Sequence, residues 1–178
     1  GGSGFLAKYC ISELLKDGHN LKIVCRNPHL AGHLRMMAPI EQLDLVKGNV
    51  MLSHTIEPVI SNSDVVINFV GVLKDGSGGQ SFENCHTLGP KNIASLCKKH
   101  SIKKLIHFSS IGADIESDSK YQYTKGLGEK NILNSFPEAI ILRPSIVFGP
   151  GDGFFSVQSK LIKNLPVIPL FANNKYQC

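Results

Sequence analysis

The chain opens on Gly1-Gly2-Ser3-Gly4, a glycine-dense turn directly before Phe5 to Leu15, whose apolar residues follow helical spacing. No other feature limits the fold as strongly. Glycines let backbone fold tightly and pass close to another group. A helix that starts there points its first, unpaired N–H groups and the positive end of its dipole into the turn. Such a helix needs a surface to pack on, and the rest of the sequence supplies one. Short continuous apolar runs recur at Leu21 to Cys25, Leu43 to Val46, Val65 to Val70, Lys104 to Phe108 and Ala139 to Leu142. They have the length and composition of strands buried on both faces. Helical patterns lie between them, at Leu88, Ile93, Leu96 and Cys97 and again over Tyr121 to Leu133.

Strand and helix alternate, which predicts right-handed crossovers and a doubly wound parallel sheet, an α/β fold of the Rossmann type. In that fold a strand runs into the glycine turn and lies at the centre of the sheet, whereas this sequence starts on the turn. The expectation is a nucleotide-binding domain over residues 1–150, lacking its first strand, with residues 151–178 beginning a C-terminal substrate lobe. Leu161 to Phe171 reads as a helix followed by a proline-punctuated extended segment, and Asp75 to Gln80 as a flexible loop.

Composition narrows the function classes. With 42% hydrophobic and 19% charged residues the chain is globular in type, neither disordered nor collagen-like. Its five cysteines have no CxxC pair and no histidine cluster at metal spacing, so reduced and mostly buried thiols are expected, with no metal site. No apolar run reaches the ~18 residues of a membrane span, which leaves a soluble or at most membrane-peripheral protein. A net charge of +5 raises the question of an anionic partner. The basic residues fall in short runs, Lys98-Lys99 and Lys103-Lys104, without interleaved aromatics. That pattern fits a solvated face, and no nucleic-acid partner is expected.

Several residues stand where a doubly wound sheet binds ligands, at or just beyond the carboxyl ends of its strands. Gly1 and Gly4 occupy the first two positions of a G-x-x-G-x-x-G fingerprint, with Ala7 at the third. Arg26 follows the run ending at Cys25, where an acidic residue would hold the ribose 2′-hydroxyl of NAD; a guanidinium suits the 2′-phosphate of NADP instead. NADP(H) is therefore favoured, with NAD(H) as the alternative. Asn49 and Val50, in KGNV, and Phe69-Val70-Gly71 lie after two further strands. Asn49 suits an adenine edge and Gly71 a close approach to ribose, although both residue types also serve in ligand-free turns. Tyr121 and Lys125 are one helical turn apart on a shared face. A lysine beside a tyrosine favours the phenolate and lets it transfer a proton. Tyr123 competes, but its i+4 partner is Leu127.

The blocks GGSGFLA, INFVGVL, FENCHTLGPKNIASLC, KLIHFSSIGAD, SKYQYTKGLGEK and ILRPSIVFGPGDGFF together resemble an atypical, extended short-chain dehydrogenase/reductase. The similarity is strongest to the branch that holds the NADPH-binding 39 kDa accessory subunits of respiratory complex I and their alphaproteobacterial relatives. The resemblance implies a Rossmann domain with a small C-terminal lobe. It places Gly1, Ser3, Gly4, Phe5 and Leu6 along the pyrophosphate, Arg26 at the 2′-phosphate, Lys125 at the nicotinamide ribose, and Pro144 and Ile146 around the nicotinamide.

Two departures from the family pattern bear on activity. The serine or threonine that helps polarise a substrate is replaced by Ile111, directly after Ser109-Ser110, which leaves Ser110 as a candidate stand-in. The Val-Asn pair before Gly89 is replaced by Cys85-His86, which predicts a weakened hydrogen-bonded support of the site. His86 and His107 themselves read as ordinary polar or core-edge histidines.

The resemblance implies an NADP(H)-holding subunit docked to other complex I subunits, on the matrix side of the mitochondrial inner membrane or in a bacterial cytoplasm. The rival is a working NAD(P)-dependent reductase, epimerase or dehydratase on a sugar-nucleotide-like or carbonyl substrate.

Overall fold

The structure is a computed structural model and describes residues 1–77, 79–153 and 162. The helix and extended segment expected over residues 161–171 lie outside the described residues, apart from Ile162. The chain divides into two compact units, Gly1–Ser145 and Ile146–Cys178.

The first unit alternates helices and strands, as the apolar runs predict. Helix α1 is Phe5–Lys16, α2 is Ser53–Ile60, α3 is Gly89–Lys99 and α4 is Lys120–Ser135. The strands are β1, Leu21–Cys25; β2, Leu43–Lys47; β3, Val65–Asn68; β4, Lys104–Phe108; and β5, Ile140–Leu142. Every strand pair is parallel, and the fold is α/β and Rossmann-like. The sheet comes in two parts, β1-β2 and β3-β4-β5. The facing edges β1 and β3 are not hydrogen-bonded to each other, and a cavity of about 940 Å³ runs between them, lined by Ile23, Val24, Val66 and Ile67 among others.

Each part has its own core. Ala7 and Ile11 of α1 pack with Ile23 and Cys25 of β1 and Leu43 and Leu45 of β2. On the other side Ile56 and Ile60 of α2, Ile93, Ala94, Leu96 and Cys97 of α3, Leu105 of β4 and Ile132 of α4 form a second cluster. The spacing of 93, 94, 96 and 97 is one stripe of a helix, and Leu105 alternates with the exposed Lys104 as a strand requires. Burying each such aliphatic side chain contributes about 1.5–3 kcal/mol.

Two features escaped the pattern. Helix α2 is short and contains Pro58, which weakens any periodic signal. Ahead of α3, Glu83–Leu88 forms a π turn, in which Gly89 N–H bonds back to the Asn84 carbonyl. The wider turn buries Cys85, His86 and Thr87 in succession, which a regular helix would spread over more than half its circumference. Among the described residues all four cysteines are free; Cys25, Cys85 and Cys97 are buried, and burial pushes the Cys97 thiol up to about 12.

Candidate functional site

The carboxyl ends of the strands gather most of the residues singled out in the sequence. At the glycine turn, Gly4 N–H bonds to the Gly1 carbonyl, and α1 begins with Gly4 as its cap. No side chain caps that helix and no acidic residue stands in its first turn, so the amides of Phe5, Leu6 and Ala7 are left to face an anion. A β-carbon at Gly1 would overlap the Phe69 carbonyl group. The turn therefore lies directly on the Phe69–Val70 backbone, joining two blocks that are far apart in sequence. Gly1, Ser3, Arg26, Asn49, Val50, Phe69, Val70 and Gly71 all line the cavity between β1 and β3.

Individual placements differ in what they leave free. Arg26 is exposed just beyond β1, with no ion pair among the described residues. Asn49 spends its side-chain oxygen on Met51 N–H (3.0 Å), the turn chemistry that was the alternative for it. The Val50 carbonyl accepts from the Asn92 side chain (2.8 Å), and its side chain lies against Gly89. Phe69 stacks on Phe108, with ring centroids 4.5 Å apart. Pro144 accepts Ile111 N–H at 2.9 Å, so it holds the strand end beside the site. Ile146 belongs to the second unit.

Helix α4 carries the Tyr121 and Lys125 pair. Lys125 is 5% exposed, and its Nζ donates to the Phe108 carbonyl at 3.2 Å. Burial pulls its pKa from the ordinary 10.5 down to about 8, while the carboxylate of Glu129 acts in the opposite sense. A β-carbon at Gly71 would come within 3.3 Å of Lys125 Nζ, so the Gly71 backbone rests on the amine. Tyr121 packs edge-on against His86 (5.2 Å between centroids) and Phe82 (5.5 Å). Glu129, one turn beyond Lys125, is held by the guanidinium of Arg143, whose Nε donates at 2.9 Å.

The expected weakening at Cys85-His86 is not found. His86 is 1% exposed and makes two hydrogen bonds: its Nε2 accepts Val72 N–H at 3.1 Å, and its Nδ1 lies 3.1 Å from Thr124 Oγ1. An imidazole reaches farther than an asparagine amide, and the π turn aims it between α4 and the loop after β3. His107 is likewise 1% exposed, with Nδ1 3.0 Å from Asn68 Nδ2. Neither histidine is at the core edge. Burial, with the nearby charge of Lys125 second, lowers His86 from 6.5 to about 4 and His107 to about 3, so both are neutral at pH 7.

At the end of β4 the side chains diverge. Ile111 is 64% exposed, an alkyl group standing in solvent. Among the described residues, Ser109 Oγ and Ser110 Oγ are buried with no hydrogen-bond partner, as is His107 Nε2. A buried hydroxyl left unpaired is costly, and such atoms mark places where a further polar group fits. Open helix amides, an exposed cation beyond β1 and a buried lysine beside a tyrosine make a cradle suited to a dinucleotide. Among the described residues, no three metal-ligating side chains come together and no helix is long and apolar enough to cross a membrane.

Comparison with known proteins agrees with this geometry. A family model described as NAD(P)H-binding matches residues 1–144. The chain belongs to that NAD(P)H-binding family. Its relatives include the mitochondrial NADH dehydrogenase (ubiquinone) 1 alpha subcomplex subunit 9 of Mus musculus, 33% identical over 157 residues, which are 88% of this chain and 41% of that protein. The mitochondrial NADH-ubiquinone oxidoreductase 40 kDa subunit of Neurospora crassa is 31% identical over 153 residues, 85% of this chain and 40% of the relative. Among solved structures, a putative NAD-dependent epimerase/dehydratase from Bacillus halodurans superposes with a TM-score of 0.67 at 25% identity, covering 82% of this chain and 67% of that one. The chain thus spans about two fifths of the length of the curated relatives it matches. It carries an NAD(P)-binding domain with an epimerase/dehydratase-like fold.

Proposed function

We propose that the protein is an NADP(H)-holding accessory subunit of a respiratory NADH:quinone oxidoreductase, on the matrix side of the mitochondrial inner membrane or on the cytoplasmic side of a bacterial one. The observation that carries this reading is the pairing of a built cofactor cradle with an alkyl side chain, Ile111, where a substrate-polarising hydroxyl belongs in the extended reductases. An alkyl group donates no hydrogen bond, and losing one preorganised donor lowers rates by about 10²–10³-fold in hydrolase sites. The relatives named above are themselves called subunits of NADH dehydrogenase or NADH-ubiquinone oxidoreductase.

In this reading the amides of Phe5, Leu6 and Ala7 take the pyrophosphate, with Ser3 beside them. Arg26 pairs with the 2′-phosphate, which favours NADP(H) over NAD(H). Asn49 and Val50 flank the adenine, while Phe69, Val70 and Gly71 line the ribose. Lys125 holds the nicotinamide ribose, and Pro144 lies at the ring. The bound nucleotide supplies a hydride donor or acceptor, but here it acts mainly as a ligand that stabilises the fold. A site filled at a hundredfold excess over its Kd contributes ~2.7 kcal/mol.

A second reading, an active reductase, epimerase or dehydratase, rests on specific atoms. Burial lowers Lys125 to about 8, Tyr121 shares its face, and Ser110 Oγ is buried with no hydrogen-bond partner among the described residues. If Ser110 turns toward a substrate, proton transfer through Tyr121 becomes available. Two experiments separate the readings. The full-length protein is purified from detergent-solubilised membranes, where comigration with the respiratory complex is expected and its absence would overturn the subunit assignment. A steady-state screen of the protein beside Tyr121→Phe and Ser110→Ala is expected to show NADPH binding without turnover; robust NADPH oxidation that both substitutions abolish would establish the enzyme instead.

A further inference from the structure

The segment that leaves β3, from its last residue Asn68 to Val72, is held by side chains at alternate amides. Val70 N–H donates to Asn68 Oδ1 at 2.9 Å, and the same side chain's Nδ2 lies 3.0 Å from His107 Nδ1. Two residues on, Val72 N–H donates to His86 Nε2 at 3.1 Å. The Gly71 amide between them makes no hydrogen bond among the described residues. Two chains of contact thus run from the loop to the elements beneath it, one to β4 through Asn68 and His107, the other to α4 through His86 and Thr124.

The hydrogen bonds assign the protons. Asn68 Nδ2 can only donate, so His107 Nδ1 accepts and its proton sits on Nε2. Val72 N–H can only donate, so His86 Nε2 accepts and its proton sits on Nδ1, facing Thr124 Oγ1. Thr124 in turn lies 2.8 Å from the Lys120 carbonyl and 3.1 Å from the Tyr121 carbonyl, to which its hydroxyl donates. The two rings are therefore opposite tautomers. Around them stand Lys125 and Tyr121 of α4 and Asp75 of the following loop.

Backbone contacts make the arrangement stiff. A β-carbon at Gly128 would overlap the His86 carbonyl oxygen, so α4 and the π turn touch main chain to main chain. Gly71 in turn rests on Lys125 Nζ. A shift of this loop would change both the shape of the cofactor cleft and the surroundings of the lysine.

We propose that His86 and His107 are positioning residues, a pair of neutral imidazoles of opposite tautomer that brace the Asn68–Val72 loop against the Tyr121–Lys125 helix and β4, and so set the cleft for the nicotinamide half of the cofactor. The proposal rests on the reading that this cleft holds NADP(H), and its test separates the two. In the cofactor-free full-length protein, nitrogen NMR is expected to show His86 protonated on Nδ1 and His107 on Nε2, with slow hydrogen exchange at the Val70 and Val72 amides.

Replacement of His86 by Leu is expected to speed exchange at Val72 and to weaken NADPH binding about tenfold, the scale of one lost hydrogen bond. His86→Gln, whose longer side chain carries an amide oxygen to the ring Nε2 position where it can accept from Val72, is expected to restore most of both. The same tautomer on both rings, or unchanged Val72 exchange in His86→Leu, would overturn the brace; should that variant fail to fold, the tautomers and His86→Gln still decide. Opposite tautomers and protected amides in a protein that does not bind NADPH would leave the brace standing and overturn the cofactor reading.

Discussion

The two ends of the proposed cofactor cleft are built from different material. At the glycine turn the groups on offer are main-chain amides of α1, Ser3 and Arg26 are exposed, and no side chain among the described residues caps the helix. Around α4 they are side chains: Lys125, His86, Thr124, His107 and Asn68 are buried and, but for His107 Nε2, hydrogen-bonded. A pyrophosphate needs several donors at fixed spacing, and a helix start offers them whatever its side chains are. A ribose and a proton-transfer pair need particular functional groups, and in a dry setting each must be partnered or bear a cost. The first end therefore tolerates substitution, and the second couples composition to stability.

The largest effect is expected where the buried end has no slack. Gly128→Ala forces a methyl group into the His86 carbonyl. It should destabilise the full-length protein by about 3 kcal/mol or more, read as a drop in melting temperature. An unchanged melting temperature would mean that α4 and the π turn are not locked together.

Acidification is expected to act on the same end. Both histidines have folded pKa values below their ordinary 6.5, at about 4 and about 3. Between those values and 6.5 the unfolded chain binds more protons than the folded one, so stability is full above pH 6.5 and falls as the pH drops toward 4. The loss is on the order of a few kcal/mol. His86→Asn, which does not titrate, should flatten the profile in chemical denaturation across that window; an unaltered slope would place the acid sensitivity elsewhere.

Lys125→Met removes a buried cation whose pKa is already lowered to about 8. Affinity for NADPH is expected to fall by roughly tenfold to a hundredfold, as for a lost charge-assisted hydrogen bond, while thermal stability holds or rises. A joint loss of both would show the amine to be structural.

At the exposed end Arg26→Asp should narrow or reverse a preference for NADPH over NADH, by about tenfold in the ratio of dissociation constants, with the melting temperature unchanged. Equal affinities in the unmodified protein, measured by calorimetry, would remove Arg26 from the 2′-phosphate. The smallest effect is expected for Ser3→Ala, within about threefold in NADPH affinity, because backbone amides carry the binding there. A larger loss would mean that this end too depends on side chains.

Much of this was legible in the order of residues. The strands at Leu21, Lys104 and Ala139 announce themselves as short apolar runs, and the turn before Phe5 by its glycines, because main-chain geometry and burial leave local signatures. The pair Tyr121 and Lys125 was visible as helical spacing. The roles of Cys85-His86 were not: a loss of support was expected, and two hydrogen bonds were found. Local spacing determined the alternating α/β order, the turn that presents helix amides and the residues at strand ends. Only the tertiary structure decided that Gly1 lies on Phe69, that Lys125 sits dry on the Phe108 carbonyl and that two histidines hold one loop. Each of those facts joins residues remote in the chain, and a π turn or a buried imidazole gains its meaning from the partner it meets.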